Sequence, residues 1–363
     1  MSDERFKQYE PFFGKWKIGK PLGKGSFGRV YEIYSEDDSG NISRAALKVM
    51  HIPTDAALAA QRDEQPDKEA VRSYFLRQVE RIQGEIQILQ ECKGQNNIVN
   101  YKEHLIKENP GEEGIGWDIL IRMELLYPLS PHLTRKEASQ LDIIQMWSDI
   151  ASALVYCEQQ NIMHRDIKPA NILLGASGQY KLTDFGVAIR NATREEASTR
   201  VGTERYMAPE VYRNQSYDKR VDCYSLGCVI YYFLNRRRHV FMPHFPRQTT
   251  AEDSEQAERR RINGDEIPPI PWVPNEVNRI LRKSMAYRPE NRYQHAIELY
   301  NDLQYLMKTE GQELRKRPLM FMKKQRGTVS TPKASEKKQT VPVAGEKKDF
   351  GRPNLQKEAF GRP

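Results

Sequence analysis

His164-Arg165-Asp166-Ile167-Lys168-Pro169-Ala170-Asn171 is followed by Ile172-Leu173-Leu174, then by Thr183-Asp184-Phe185-Gly186, and later by Ala208-Pro209-Glu210. Within 19 residues this stretch holds a carboxylate, a lysine two places on, an asparagine and a second aspartate. Phosphoryl transfer needs such a set: a carboxylate to take the attacking hydroxyl's proton, a cation near the transferred group, and hard oxygen ligands for Mg²⁺. Asp166, Lys168, and the pair Asn171 and Asp184 supply those parts. Each alone reads as a turn residue; the order and spacing together argue against coincidence.

Upstream, residues 16–50 read as strands: WKIGKPLG, GRVYEIYS, the turn EDDSGN, then RAALKVM. Gly23, Gly25 and Gly28 interrupt the first hairpin, and glycines there let backbone N–H groups approach a phosphate chain closely. A dinucleotide fold would need the last glycine to open a helix, whereas GRVYEIYS continues as a strand. Lys48, in Ala46-Leu47-Lys48-Val49, reads on its own as a solvated strand lysine. Residues 54–91 carry Phe75, Val79, Ile82, Ile86 and Leu89 at helical spacing, predicting a long helix, with a shorter one before it as a second option. NNIVNYKEHLIK and WDILIRMELL predict two more strands across the turn NPGEEGIG. From Tyr127-Pro128-Leu129-Ser130-Pro131 to Met307 helical patterns dominate, broken by the extended Pro268-Pro269-Ile270-Pro271-Trp272-Val273-Pro274.

The 363 residues are 38% hydrophobic and 29% charged with a mean hydropathy of -0.76, enough for a buried core and unlike a disulfide scaffold. The formal charge is +8. Residues 309–363 hold 14 Lys/Arg against 6 Asp/Glu, so that tail carries the whole excess and the body is neutral. Lys, Pro, Ser, Thr and Gln dominate the tail, which predicts disorder. A solvated linker is its first reading; a basic arm for an anionic partner comes next, then a docking or phosphorylation site at Thr328, Ser330, Thr331, Ser335 or the repeated Phe-Gly-Arg-Pro. Aromatics are sparse there, which speaks against nucleic acid. Cys92, Cys157, Cys223 and Cys228 form no C-x-x-C pair and read as thiols of a reducing compartment. The N-terminus shows no secretory signal, and Cys223–Leu234, the most apolar run, is well short of the ~20 residues a membrane span needs. A cytoplasmic location is the expectation.

From about Phe13 to Lys308 the motifs resemble those of the eukaryotic-type serine/threonine protein kinases. WDILIRMELL, VDCYSLG and LNRRRHVFMP are similar to bacterial members, which implies a role in bacterial signalling. The resemblance implies an α+β, bilobal fold: a small N-lobe (about 13–124) of five antiparallel strands with one helix, and a larger, mainly α-helical C-lobe (about 127–308), flanked by an arm (1–12) and the tail (309–363). It implies ATP with Mg²⁺, or Mn²⁺ as a second option. Gly23, Gly25 and Gly28 would cover the phosphates, Leu22, Val30, Ala46 and Leu173 would sandwich the adenine, and Met123 would be the gatekeeper beside the backbones of Glu124 and Leu126. Lys48 would hold the α- and β-phosphates and pair with Glu85, with Glu80 as runner-up. Asp166 would be the base, Lys168 the phosphoryl-stabilising cation, and Asn171 and Asp184 the metal ligands. Asp222 and Gly227 would open the central helix, and Arg292 would partner Glu210.

Lys168 and Thr203 mark serine/threonine specificity, so the partners implied are proteins with Ser/Thr acceptors. Arg165 before Asp166 implies activation by autophosphorylation at Ser198 or Thr199, with Thr203 kept for substrate positioning. Ala170 and Ser130 stand where acids that favour basic substrates often lie, so that preference is not inherited. Residues 236–274, with Arg259-Arg260-Arg261, read as a solvated insert, a docking surface being the alternative. The competing reading of the whole chain is a nucleotide-binding, pseudokinase-like scaffold; a kinase of small molecules is a third.

Overall fold

The computed structural model describes residues 3–24, 28–65, 67–110, 114–134, 138–186, 188–190 and 203–319. Gly25, Ser198, Thr199 and the tail beyond Leu319 lie outside the described residues.

Alternating apolar residues and polar turns build the first sheet. Its strands are β1 (Lys17–Lys24), β2 (Arg29–Glu36), β3 (Ile42–Ile52), β4 (Tyr101–Glu108) and β5 (Trp117–Met123), in the antiparallel order β1-β2-β3-β5-β4. Asp37 shapes the β2–β3 turn, its Oδ1 accepting the N–H groups of Ser39 and Asn41 at 2.9 Å each, with Gly40 at φ +79°. The two-residue period of β3 sends Leu47 and Val49 to one face and Lys48 and Met50 to the other. In register, Lys48 stands between Val30 on β2 and Ile121 on β5, and Ala46 faces Met123.

Two helices, not one, accompany this sheet among the described residues: α1 (Asp55–Glu64), capped by Thr54, and α2 (Lys68–Glu91), capped by Asp67. Both caps accept first-turn N–H groups. The stripe Val71, Phe75, Val79, Ile82, Ile86 and Leu89 is buried in the same cluster as Met50, Ile119 and Ile121. On the outer face Phe6, Phe12 and Trp16 cover Tyr31, Ile33, Leu47, Val49 and Leu120. The segment drawn as a separate arm over residues 1–12 is therefore part of the small lobe from its first 3-10 turn (Asp3–Tyr9) onward. Tyr9 donates its hydroxyl to the fully buried Asp118 at 2.8 Å. Phe6 and Phe12 carry no local sign of burial, since two aromatics spaced six apart show no period; each buried aromatic stabilises by roughly 1.5–3 kcal/mol.

The larger lobe follows with β6 (Tyr127–Pro128), α3 (Leu129–Leu133), α4 (Gln140–Gln159), β7 (Ile162–Met163), β8 (Ile172–Leu174), β9 (Tyr180–Leu182), β10 (Ile189–Arg190), α5 (Pro209–Tyr212), α6 (Arg220–Leu234), α7 (Ala251–Asn263), α8 (Asn275–Ser284) and α9 (Ala296–Lys316). β6, β8 and β9 form a small sheet, and β7 pairs with β10. Nearly every side chain of α6 is buried, as an apolar helix requires, and α4 packs against both α6 and α9.

Two boundaries differ from the sequence reading. Order does not stop at Lys308: α9 continues to Lys316, Leu314 is fully buried, and Leu319 N–H donates to Ala138 O at 2.9 Å. Leu299, Leu303, Leu306 and Leu314 make one stripe; the charges around Leu314 hid its last member. Likewise, the charged insert contains α7, whose residues Asp253, Ala257, Arg261 and Ile262 are buried.

Candidate active site

The loop after β7 carries His164 to Lys168, the turn before β8 carries Asn171, and the turn after β9 carries Asp184. Arg165 and Asp184 sit at φ +66° and +62°, a left-handed conformation that costs energy for side chains with a Cβ. The first strain is held by Asp222 at the start of α6, which accepts His164 N–H at 2.8 Å and Arg165 N–H at 2.9 Å. Burial pushes the Asp222 carboxyl up, against the pull of these bonds. Phe185, fully buried, meets the His164 ring edge-on at 4.8 Å. His164 Nε2 donates to Thr183 O at 3.0 Å, fixing the turn that presents Asp184.

Asp166 is the meeting point of three side chains. Lys168 Nζ and Asn171 Nδ2 donate to its Oδ2 at 2.6 and 3.1 Å, and Thr203 Oγ1 donates to Oδ1 at 2.9 Å. Asn171 Nδ2 also donates to the Asp166 carbonyl at 2.9 Å. That engages its amide nitrogen and leaves its Oδ1 as a hard oxygen ligand alongside Asp184, whose side chain is 48% exposed. These groups fit Mg²⁺, which takes one or two protein oxygens plus phosphate oxygens and water.

Across the cleft Lys48 Nζ lies 3.1 Å from Glu85 Oε1 and 3.6 Å from Asp184 Oδ1. Burial works to lower the Lys48 pKa, but attraction by Glu85 and Asp184 outweighs it and holds the ammonium above its ordinary value. Glu85 is buried on α2 and meets Lys48, whereas Glu80 is exposed. Gly186 lies against Glu85, a Cβ there falling 3.4 Å from Oε2.

Of the residues expected to face adenine, Ala46 and Leu126 are buried, Val30 and Leu173 half-buried, and Leu22 is 41% exposed. Leu173 pairs with Pro128 on β6, two residues past Leu126. Glu124 N–H donates to Asn100 O at 3.0 Å. A Cβ on Gly28 would fall 2.1 Å from Val49 O, so the hairpin itself requires that glycine, while Gly23 has open space. One contributor is absent from the sequence reading: Lys181, in Tyr180-Lys181-Leu182. It is buried, pairing with Glu124 Oε1 at 2.8 Å and donating to Ile98 O at 3.4 Å, which ties the Glu124 segment to β9. The signal available was the isolated cation between two buried apolar neighbours.

A family model described as "Protein kinase domain" matches residues 16–303. The chain belongs to the protein kinase family. The kinase is 31% identical over 287 residues to the Aurora kinase of Schizosaccharomyces pombe, covering 77% of this chain and 68% of the relative. Against Aurora kinase A-B of Xenopus laevis the identity is 31% over 287 residues, covering 76% and 59%. Serine/threonine-protein kinase PknB of Mycobacterium tuberculosis is 35% identical over 167 residues, 44% of this chain and 25% of that one. The kinase thus spans about three-fifths of the Xenopus relative and a quarter of PknB. Its enzyme class is ATP-dependent serine/threonine protein kinase. Among the described residues no helix is long and apolar enough to cross a membrane.

Proposed function

We propose that this kinase moves the γ-phosphoryl group of ATP to serine or threonine hydroxyls of protein acceptors, using the residues gathered around Asp166 and Lys48. The observation that carries this reading is the convergence of Lys168, Asn171 and Thr203 on one carboxylate, with Lys48, Glu85 and Asp184 meeting opposite. Asp166 orients the acceptor hydroxyl and takes its proton. Lys168 faces the transferred group, and Lys48, kept charged by Glu85, holds the α- and β-phosphates. Asn171 Oδ1 and Asp184 would hold Mg²⁺, which supplies charge neutralisation between the phosphates. Leu22, Val30, Ala46 and Leu173 would enclose the adenine, with Met123 behind it and the backbones of Glu124 and Leu126 at its edge. Gly23, Gly25 and Gly28 would close over the phosphates.

Regulation follows from the same loop. Arg165 places a guanidinium 3.3 Å from Tyr217 OH, next to the catalytic aspartate, and autophosphorylation at Ser198 or Thr199 would give it a dianionic partner. The buried thiols of Cys92, Cys157, Cys223 and Cys228 suit a reducing cytoplasm. The basic residues after Leu319 are read first as a solvated linker and second as an arm for an anionic partner, whose binding would weaken with salt.

The test is incubation with labelled ATP and Mg²⁺, with and without a generic basic protein, followed by phosphopeptide mapping. Label should appear on the acceptor and on residues 193–203. It should fall about 10²- to 10⁴-fold in Asp166→Asn, the contribution expected of a general base. ATP binding without transfer in the unaltered protein would favour the scaffold reading instead.

A further inference from the structure

Of the three consecutive arginines near the end of α7, two are solvated and one is not. The Arg259 side chain is 78% exposed beside Glu255, and Arg260 reaches the exposed Asp265 at 2.8 Å. Arg261 is only 5% exposed. The helix that turns it inward is well specified: Thr250 and Asp253 form a capping box, and Gly264 ends the helix at φ +84°. Ala257 and Ile262 are buried beside it, so the inward face is real despite the charge of the segment.

The Arg261 guanidinium faces no carboxylate at ion-pair distance among the described residues. Its Nη2 donates to Glu204 O at 2.8 Å, and its Nη1 donates to Met207 O and, at 3.4 Å, to Tyr224 OH of α6. Removing a full charge from water is expensive even with Glu258 attracting it from beyond ion-pair distance, and an apolar side chain would fill the same space at less cost. What an arginine adds is a rigid planar fork that bonds two carbonyls three residues apart.

Those carbonyls belong to the segment that leaves the active site. Thr203 is bonded to Asp166, and Glu210 forms a buried bidentate pair with Arg292 at 2.6 and 2.8 Å. Between these ends, residues 204–207 run on directly from Thr203, whose hydroxyl touches the carboxylate that an acceptor must reach. Arg261 holds their backbone, and Tyr206 packs edge-on to His239 at 5.4 Å.

We propose that Arg261 is a positioning residue for the protein acceptor: from α7 it clamps the backbone of residues 204–207, setting affinity for the acceptor and not for ATP. This rests on the kinase reading above. Acceptor binding then depends on a residue of the charged insert that touches no reacting atom.

Steady-state kinetics of the full chain with a generic basic protein as acceptor would test it, comparing wild type, Arg261→Met, Arg261→Lys and Arg260→Met. Arg261→Met should raise the acceptor KM about tenfold, as for loss of one charge-assisted hydrogen bond, with the KM for ATP within about twofold. Arg261→Lys, which keeps the charge and one donor direction, should recover part of the loss. Arg260→Met removes the same charge at the surface and should change neither constant. Acceptor KM values within about twofold of wild type in both Arg261 variants would overturn the assignment, as would acceptor and ATP KM values rising together. If Arg261→Met does not fold, the same criteria applied to Arg261→Lys decide. A wild type that transfers nothing overturns the kinase reading and this assignment with it; an active wild type with unaltered Arg261 variants overturns this assignment alone.

Discussion

Lys48 is held by two carboxylates of unequal exposure, Glu85 at 7% and Asp184 at 48%. The buried partner fixes the lysine, and the exposed one keeps an oxygen turned toward the cleft. Glu80 and Glu85 are both candidates because they lie 32 and 37 residues past Lys48 on one helix. Five residues on an α-helix turn by about 140°, so only one can face the sheet. Glu85→Gln is expected to lower kcat/KM by about ten- to a hundredfold, since it removes an ordering charge while Asp184 remains. Glu80→Gln should stay within about twofold, and the two measured side by side decide the pairing; equal losses would show that α2 sits differently. Gly28 carries a second residue-scale lesson. Its glycine character is explained by the 2.1 Å approach of a Cβ to Val49 O, before any phosphate is considered.

At the scale of elements, the stretch between α6 and α7 does more than its composition suggests. His239 packs at a tilt against Tyr232 at 4.8 Å as well as edge-on against Tyr206, and its imidazole is pushed down to about 4 by burial, then by Arg205 and Arg261. The folded state therefore resists a proton that the unfolded chain accepts from about pH 6.5 downward. Because the unfolded state binds more protons in that window, stability is full above about pH 6.5 and declines as pH falls toward 4. His239→Gln should flatten this decline in thermal or denaturant unfolding measured between those pH values. A variant with the same slope as wild type would place the pH sensitivity elsewhere. The ring contacts also explain why residues 236–250 need not be helical to be held in place, together with contacts to the helix cap such as Arg247 to Asp253 at 3.0 Å.

For the molecule as a whole, one apolar cluster runs from Met50 and Phe75 through α4 and α6 to Leu314. The C-terminal end of α9 belongs to it, and Gln140 N–H donates to Arg317 O at 2.8 Å. A chain ending at Lys308 loses Leu314, worth roughly 2–3 kcal/mol of burial, along with these backbone bonds. It should melt roughly 5 °C or more below a chain ending at Leu319 in thermal denaturation. Equal midpoints would return the domain boundary to Lys308.

The sequence by itself determined the family: Asp166, Lys168, Asn171 and Asp184 mark it through their spacing along one short stretch, and strand alternation and helical stripes needed only local periods. Contacts across long separations were decided by tertiary structure alone. The structure chose Glu85 over Glu80 for Lys48, and it alone revealed that Arg261 meets Met207 across 54 residues and Tyr9 meets Asp118 across 109. Phe6, Lys181 and Arg261 look solvated in the chain because nothing adjacent marks them otherwise. They are buried because distant carbonyls, carboxylates and apolar faces arrive to satisfy them, and that arrival is a property of packing.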